Sequence, residues 1–363
     1  MALWRSDEGR RVRKWLELDE ASHLWKSTRE RLEPLLDRAD PRGLPGLTYI
    51  EEGPLSSESD LIDALHMLAQ WDVDALRSDA DRFASIYSPV GILPPDQYLA
   101  QVVQMTHGCS FNTCTFCTFY RDIPFRVKSS AELREHLEEV DRYLGRGTSL
   151  RHSIFLGDAN ALVVSMEKLE PLFEIVADHY SNRLTTPERT TESDIAFNGM
   201  HAFLDGFSGA KKSAEDYHRL RELGLRRITV GLESGHDPLL EWLHKPGSSA
   251  DAVRSVEAMK EAGVQVCLVV LVGAGGETFS RGHINDTRTL LAEMPVNSED
   301  IIYFSEFVDE AGSPYGVVVK EDGVIPLDRE AMERQKNEIA SVLIPHSDGG
   351  PRTALYDIRE FTY

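Results

Sequence analysis

The run His107-Gly-Cys-Ser-Phe-Asn-Thr-Cys-Thr-Phe-Cys-Thr-Phe-Tyr120 places three cysteines within nine residues, at positions 109, 114 and 117. The chain of 363 residues has one other cysteine, Cys267, which stands in the apolar run Val264–Val272. A lone cysteine in an apolar run is typical of a protein core, whereas three clustered thiols indicate a site.

The spacing C-x4-C-x2-C has three interpretations. Three thiolates can hold three irons of a four-iron, four-sulfur cluster and leave the fourth iron open to a substrate or cofactor. The same cysteines together with His107 could complete the tetrahedron of a structural zinc ion. They could also be unrelated thiols buried in one loop. A disulfide framework is disfavoured, because a chain of this size without a secretion signal does not depend on such cross-links.

The cysteine run resembles the cluster-binding loop of the radical S-adenosylmethionine (SAM) enzymes, where an aromatic residue, here Phe116, precedes the last cysteine. The usual spacing in that family is C-x3-C-x2-C, so this chain has one extra residue between Cys109 and Cys114. Three later stretches resemble motifs of the Elp3/MiaB/NifB (HemN-like) branch and follow in the same order: Phe155-Leu-Gly-Asp158, Val230-Gly-Leu-Glu-Ser-Gly235 and Gly273-Ala-Gly-Gly-Glu-Thr278. The similarity spans about residues 100–307, and four motifs in order are more specific than any one.

The resemblance implies two cofactors, a [4Fe-4S] cluster on Cys109, Cys114 and Cys117, and SAM, which chelates the open iron. In this family an electron, delivered by a donor such as flavodoxin or ferredoxin, cleaves SAM to a 5′-deoxyadenosyl radical. The resemblance also implies which residues contact the cofactor: Phe116, Gly157, Asp158, Glu233, Ser234 and Gly273. The resemblance assigns no catalytic residue.

Each cofactor-binding candidate also has a structural interpretation. Phe116 could pack within its own loop, and Asp158 could cap the helix that follows. Glu233 could form a salt bridge at the rim of a barrel, where an unpaired carboxylate is costly to bury. A glycine-rich turn such as that at Gly273 is weak evidence by itself.

The remaining pattern predicts an α/β fold. Short apolar segments near 99–105, 153–156, 195–204, 227–232, 264–272 and 301–307 alternate with helical stretches. Strands joined by helices form parallel sheets with right-handed crossovers. With the resemblance, these six units predict a partial (β/α)6 TIM-type barrel over residues 99–307. Its reactive groups belong at the carboxyl ends of the strands.

The two flanks are predicted to differ from this core. Residues 1–98 form a helical N-terminal region, which prolines and glycines interrupt between positions 41 and 46. Residues 308–363 form a C-terminal extension with a β-like stretch, Gly316–Val319, and a helix near Arg329–Leu343. Its aromatic end at Tyr363 could cover the mouth of the barrel.

Charge and hydropathy narrow the partners. The 39 Lys and Arg against 60 Asp and Glu give a net charge of −21. Such a surface repels phosphate backbones, so a nucleic-acid partner is disfavoured. A signal peptide and a membrane-spanning run are both absent from the sequence, which predicts a cytoplasmic protein without a membrane partner. The oligomeric state stays open.

We therefore predict an oxidoreductase of the radical SAM type that abstracts hydrogen from a small or medium-sized metabolite. Two alternatives are also enzymes, a HemN-like porphyrinogen decarboxylase and an Elp3/MiaB-like tRNA modifier. The third is a zinc-stabilised binding protein without enzymatic activity.

Overall fold

The computed structural model describes residues 2–5, 11–14, 16–37, 58–187, 196–208, 211–309 and 313–360. The chain divides into two compact units, residues 1–89 and 90–363. The interrupted segment at 41–46 and the terminal Tyr363 lie outside the described residues, so the prediction of a lid at Tyr363 stays a prediction.

The first unit is mainly helical. Its helices are α1 (Leu18–Leu36), α2 (Glu58–Gln70) and α3 (Val73–Ile86), and the last two coincide with the helical periodicity of the sequence. Helix α3 begins where the Asp72 carboxylate accepts a hydrogen bond from the backbone N–H of Ala75 at 2.8 Å. An antiparallel pair of strands, β1 (Ala2–Arg5) and β2 (Arg11–Lys14), precedes the helices and was not predicted.

The second unit is built on parallel strands. They are β3 (Gln101–Gln104), β6 (Ile154–Gly157), β7 (Met200–Asp205), β8 (Leu225–Glu233), β9 (Gln265–Val272), β10 (Ile301–Glu306) and β11 (Arg352–Leu355). Two short antiparallel strands, β4 (Thr106–His107) and β5 (Arg126–Val127), flank the cysteine loop. The sheet order is β11-β10-β9-β8-β7-β6-β3, and no pairing of β3 with β11 closes it among the described residues. This open, parallel sheet confirms the predicted α/β fold of partial TIM-barrel type.

Helices connect the strands, and most of them pack against one face of the sheet. They are α4 (Ser130–Leu144), α5 (Met166–His179), α6 (Ala214–Glu222), α7 (Asp237–Trp242), α8 (Ser249–Glu261), α9 (Gly276–Glu293), α10 (Pro314–Glu321) and α11 (Arg329–Ala340). Capping boxes begin three of them, at Ser129, Ser213 and Ser248. Among the helices that the structure describes, none has the length and apolar character needed to cross a bilayer.

The C-terminal region differs from the prediction in two places. The stretch Gly316–Val319 is helical, within α10, and not β-like. Its helix begins because the Ser313 hydroxyl accepts from the N–H of Gly316 at 3.1 Å and Pro314 occupies the first helical position. The short strand β11 was not predicted, and it adds a seventh parallel strand beside β10.

Side chains alternate between the two faces of the central strands. On β8, Ile228 and Val230 belong to the main core, which also holds the apolar faces of the helices. On the opposite face, Cys267 packs with Val269 and Tyr303 inside the barrel. Cys267 has no exposed surface, which confirms the prediction that it is a core residue.

Polar side chains near the amino-terminal ends of the strands form hydrogen bonds with one another. The Asp96 carboxylate accepts from the Arg227 guanidinium at 3.1 Å and from the Tyr303 hydroxyl at 2.9 Å. Arg227 also donates to the carbonyl oxygen of Glu299 at 2.8 Å. We call Asp96, Arg227 and Tyr303 the base cluster.

Candidate functional site

A cavity of about 210 Å³ opens at the carboxyl ends of the strands. It is lined by Asn160 after β6, Asp205 on β7, Glu233 on β8 and Phe307 after β10, together with the three clustered cysteines. The carboxyl end is where barrels of this type place their reactive groups. The structure therefore brings the cysteine loop and the strand ends to one place.

The three cysteines are half-buried free thiols. Burial raises the pKa of Cys114 to about 12 and that of Cys117 to about 11, and the nearby Lys245 only partly opposes this for Cys114. Such thiols are protonated at neutral pH unless a bound cation displaces the proton. The cysteines therefore suit a metal centre, whose positive charge favours the thiolate form.

The first half of the cysteine loop contains the extra residue of the C-x4-C spacing. Here Asn112 adopts a left-handed backbone conformation with φ of 55°, which asparagine tolerates better than most residues. Its side-chain amide donates to the carbonyl oxygens of Tyr120 at 2.6 Å and Arg121 at 3.3 Å. The loop thus closes on itself beside the extra residue.

The second half of the loop is held from outside and from within. Thr115 donates to the carbonyl oxygen of Leu243 through its N–H at 3.0 Å and its hydroxyl at 3.2 Å. Within the loop, the Arg121 guanidinium donates to the carbonyl oxygens of Cys114 at 2.5 Å and Cys117 at 3.1 Å. These bonds fix the backbone that carries both thiols.

His107 does not join the cysteines. It lies on β4, where its Nε2 is 3.0 Å from the Arg126 guanidinium, and it does not line the cavity. Burial, with Lys128 and Arg126, lowers the pKa of His107 to about 4. Across the described ranges, no group of three or more His, Cys, Asp or Glu side chains is arranged for a metal ion. The three cysteines and His107, which the zinc interpretation requires as ligands, are therefore not brought together around one ion. A four-iron cube is wider than a single ion and takes ligands that stand further apart.

Glu233 lines the cavity and is paired there with a cation. Its Oε1 accepts from Lys245 Nζ at 3.0 Å, and both side chains are only 10% exposed. Burial would lower the pKa of Lys245, but nearby negative charge, chiefly that of Glu233, outweighs this and raises it. A side chain at Gly231 would place its Cβ 2.7 Å from Glu233 Oε1, so glycine leaves the space that this pair fills.

Lys245 was not predicted as a site residue. It follows α7 outside the quoted motifs, and nothing in the surrounding sequence distinguishes it from a solvated surface lysine. Glu233 itself has a left-handed backbone with φ of 62°, and a non-glycine residue in that region is more frequent at functional sites.

Asp158 and Gly157 lie next to the cavity but do not line it. The Asp158 carboxylate accepts from Gln104 Nε2 at 2.6 Å and from the N–H of Gly108 at 2.9 Å. Burial raises its pKa to about 6, although these hydrogen bonds and Lys128 act in the opposite direction. The carbonyl oxygen of Gly157 accepts from the N–H of Met105 at 3.0 Å. Contact of either residue with SAM stays a prediction.

Of the other predicted site residues, Phe116 lines the cavity, whereas Ser234 and Gly273 do not. Phe116 lines the cavity and also packs against the apolar cluster around Leu271. Ser234 is fully buried away from the cavity, with its Oγ 2.7 Å from His283 Nδ1. Gly273, with φ of 91°, donates its N–H to Gln335 Oε1 at 2.8 Å and faces α11. Cofactor contacts of these three residues also stay predictions.

Two polar residues of the cavity wall, Asn160 and Asp205, were not predicted. Asn160 is 2% exposed, and its side-chain amide donates to Ser110 Oγ at 3.1 Å and to Asp205 Oδ2. The Asp205 Oδ1 accepts from the N–H groups of Phe207 at 3.1 Å and Ser208 at 2.5 Å. Asn160 follows β6 in a turn and Asp205 is the last residue of β7. A polar residue at the carboxyl end of an apolar strand is the sequence signal that could have identified both.

The rest of the cavity wall is largely apolar and aromatic. Phe111 of the cysteine loop meets Phe207 edge to face, with ring centroids 6.0 Å apart. Phe203 and Phe307 line the wall, and Tyr356 and Ile358 contribute from the segment after β11. Part of the C-terminal extension therefore reaches the cavity.

Comparison with known proteins identifies a family. The profile of the Radical SAM superfamily matches residues 103–286, which is half of the chain. The heme chaperone HemW of Bacillus subtilis (strain 168) is 24% identical over 234 residues, 64% of this chain and 55% of HemW. The chain thus spans about half the length of that curated relative.

Two solved structures are similar to this chain at lower sequence identity. Elp3 of the archaeon Methanocaldococcus infernus, with its N-terminus deleted, is 14% identical; the match covers 70% of this chain and 56% of that one, with a TM-score of 0.43. Coproporphyrinogen III oxidase (HemN) of Escherichia coli is 9% identical; the match covers 74% and 55%, with a TM-score of 0.44.

The matched range runs from β3 into α9 and includes the three clustered cysteines, Asp158 and Glu233. The predicted family is therefore confirmed, and the zinc-stabilised, non-enzymatic alternative is wrong. The chain belongs to the radical SAM superfamily, whose members are enzymes with a [4Fe-4S] cluster and SAM as cofactors.

Proposed function

We propose that Cys109, Cys114 and Cys117 hold a [4Fe-4S] cluster and that the enzyme abstracts hydrogen from a small or medium-sized, largely apolar metabolite. The observation that best supports this proposal is that the three thiols and an aromatic wall line the same cavity. The bound cluster would supply the electron that cleaves SAM. A donor such as flavodoxin or ferredoxin would reduce it, in the reducing environment of the cytoplasm that half-buried thiols require.

The residues around the cavity have distinct tasks in this proposal. The Glu233–Lys245 pair keeps one charge of each sign beside the cysteines. Each charge is available to the oppositely charged groups of a cofactor that carries both an ammonium and a carboxylate. The aromatic wall formed by Phe203, Phe207 and Phe307 excludes water from the reacting atoms.

A porphyrinogen substrate is the alternative that the name of HemN, coproporphyrinogen III oxidase, raises. Such molecules carry several carboxylates, which need several cations for binding. Among the described residues that line the cavity, Lys245 is the single lysine or arginine, and its partner is Glu233. Asp205 and Glu306 add further negative charge. We therefore rank this alternative below an apolar substrate.

A tRNA substrate is the alternative that the likeness to Elp3 raises. Binding to nucleic acid depends on Lys and Arg that displace counterions from the phosphates. The net charge of −21 opposes such binding, so we rank tRNA last.

The proposal can be tested with anaerobically reconstituted enzyme, dithionite and SAM. We expect slow formation of 5′-deoxyadenosine that a small-molecule extract of the source cells accelerates and that bulk tRNA leaves unchanged. Stimulation by tRNA, with tRNA binding that weakens steeply as salt rises, would move the tRNA alternative to first place. No 5′-deoxyadenosine under any condition would contradict SAM cleavage itself.

A further inference from the structure

Both neighbours of Cys109 are bound by the turn that follows β6. On one side, the N–H of Gly108 donates to Asp158 Oδ2 at 2.9 Å. On the other side, Ser110 Oγ accepts from the Asn160 amide at 3.1 Å. The first cysteine of the cluster motif is thus bracketed by two side chains that are only two residues apart.

The turn is itself fixed to the next strand. Asn160 donates to Asp205 Oδ2, and the N–H of Asp205 donates to Asn160 Oδ1 at 3.3 Å. Because Asp205 also accepts two backbone N–H groups, its carboxylate has no rotational freedom left. A hydrogen-bonded path therefore connects the end of β7, through Asn160, to the residue beside Cys109.

This support is separate from that of the other two cysteines. Cys114 and Cys117 lie on backbone held by Arg121 and, through Thr115, by Leu243. None of these groups contacts Asn160 or Ser110 in the hydrogen bonds above. The two halves of the loop are therefore positioned by different elements, with the extra residue between them.

The burial of Asn160 makes its hydrogen bonds to Ser110 and Asp205 important for stability. It is 2% exposed, and a buried amide without hydrogen bonds is costly. Its donors and acceptor are taken by Ser110 and Asp205. Ser110 is exposed, so its bond to Asn160 restrains a loop that solvent would otherwise leave free.

We propose that Asn160, held by Asp205 and assisted by Asp158, is the positioning residue that orients Cys109 as a cluster ligand. The inference rests on the proposed cluster and adds a residue outside the cysteine motif to its binding. Asn160 would act through Ser110 and the Cys109 backbone, without touching the cluster.

The test compares Asn160→Ala, Ser110→Ala, the double variant and the control Asn337→Ala, which removes an exposed helix asparagine. Each protein is reconstituted anaerobically, and the visible absorbance of the cluster is followed after addition of the iron chelator bathophenanthroline disulfonate. The EPR spectrum of the reduced cluster and the thermal unfolding of the metal-free protein are recorded in parallel.

We expect cluster loss about fivefold faster in Ser110→Ala, because one hydrogen bond of typical strength is removed. Asn160→Ala should lose the cluster at least as fast, and its EPR spectrum should differ from wild type. The double variant should be no faster than Asn160→Ala, since both changes break one path. Ser110→Ala should leave unfolding of the metal-free protein unchanged, which separates positioning from general destabilisation.

Three outcomes contradict the inference and differ in meaning. Wild-type protein that binds no cluster contradicts the proposed function, and the inference with it. A stable wild-type cluster with loss rates and EPR spectra that are unchanged in Asn160→Ala and Ser110→Ala contradicts the inference alone. Additive effects in the double variant would also contradict it, because two residues on one path cannot act independently.

Discussion

Buried polar groups at the base of the barrel are paired with one another, whereas some of those at its mouth depend on a bound ligand for their charge. In the base cluster, Asp96, Arg227 and Tyr303 meet as donor and acceptor at 2.9–3.1 Å. At the mouth, burial raises the pKa of the thiols of Cys114 and Cys117, so neither is ionised without a metal. The base therefore stabilises the fold, whereas the mouth keeps groups whose preferred charge depends on a ligand.

This difference separates two classes of variant. Changes in the base should lower the free energy of unfolding and leave cofactor binding intact. Changes at the mouth should chiefly weaken the binding of the cluster or of SAM.

Arg227→Met should cost about 3 kcal/mol of unfolding free energy, because it leaves the Asp96 carboxylate without its cation. Urea unfolding of the metal-free protein measures this loss. Iron content and SAM affinity of the reconstituted variant should match wild type. A loss of SAM affinity larger than the loss of stability would show that base and mouth are not independent.

Glu233→Gln should weaken SAM binding by roughly ten- to a hundredfold, which corresponds to one charge-assisted hydrogen bond of roughly 1.5–3 kcal/mol. The measurement is anaerobic calorimetry on the reconstituted protein, with iron content as the control for an intact cluster. Unchanged SAM affinity in Glu233→Gln would assign that residue to the scaffold.

Asp158→Asn should instead promote loss of the cluster, since Asp158 accepts a hydrogen bond from Gly108 beside Cys109.

His201 gives the base a pH dependence. Burial lowers its pKa to about 3, with Asp96 acting in the opposite direction, whereas the unfolded chain has the usual value near 6.5. The unfolded state therefore takes up a proton first as the pH falls, and stability is lost from about pH 6.5 downwards. Between pH 7.5 and 5 this amounts to about 2 kcal/mol.

His201→Leu should remove that part of the acid dependence and leave the contributions of the other histidines. Urea midpoints of both proteins at pH 7.5 and 5 give the comparison. An equally steep loss of stability in the variant would mean that His201 is protonated in the folded protein.

Substitutions of Asn112 should have the smallest effect on stability, because they change contacts only within the cysteine loop. Asn112→Gly keeps the left-handed backbone and removes the bonds to Tyr120 and Arg121, whereas Asn112→Ala also strains the backbone. We expect the alanine variant to be about 1 kcal/mol less stable than the glycine variant. Thermal unfolding of the metal-free proteins measures the difference, and equal stability would show that the left-handed turn is not required.

The sequence predicted the architecture well where periodicity carried the signal. Each of the six expected strand segments overlaps an observed parallel strand, from β3 to β10. The strand β11 was missed because its four residues are all exposed, so they show no alternation. Gly316–Val319 was misassigned because its β-branched residues outweighed the cap at Ser313 and Pro314.

The site was predictable only in part. The cysteines share a cavity with Glu233 and Phe116, which the motif order had placed together. Lys245 and Asn160 were not predictable, because their importance arises from partners 12 and 50 positions away, Glu233 and Ser110. Such contacts depend on the folded sheet, and no local pattern reports them.

The most direct test of the cluster site is the iron content of four anaerobically reconstituted proteins: wild type, Cys114→Ala, Cys109→Ala and Cys267→Ala. With three thiolates, the wild type should bind about four irons per chain and absorb broadly in the visible range. The two loop variants should lose iron and SAM cleavage together, whereas Cys267→Ala should keep both, because Cys267 is buried in the core. Wild-type iron content in Cys114→Ala would contradict the account.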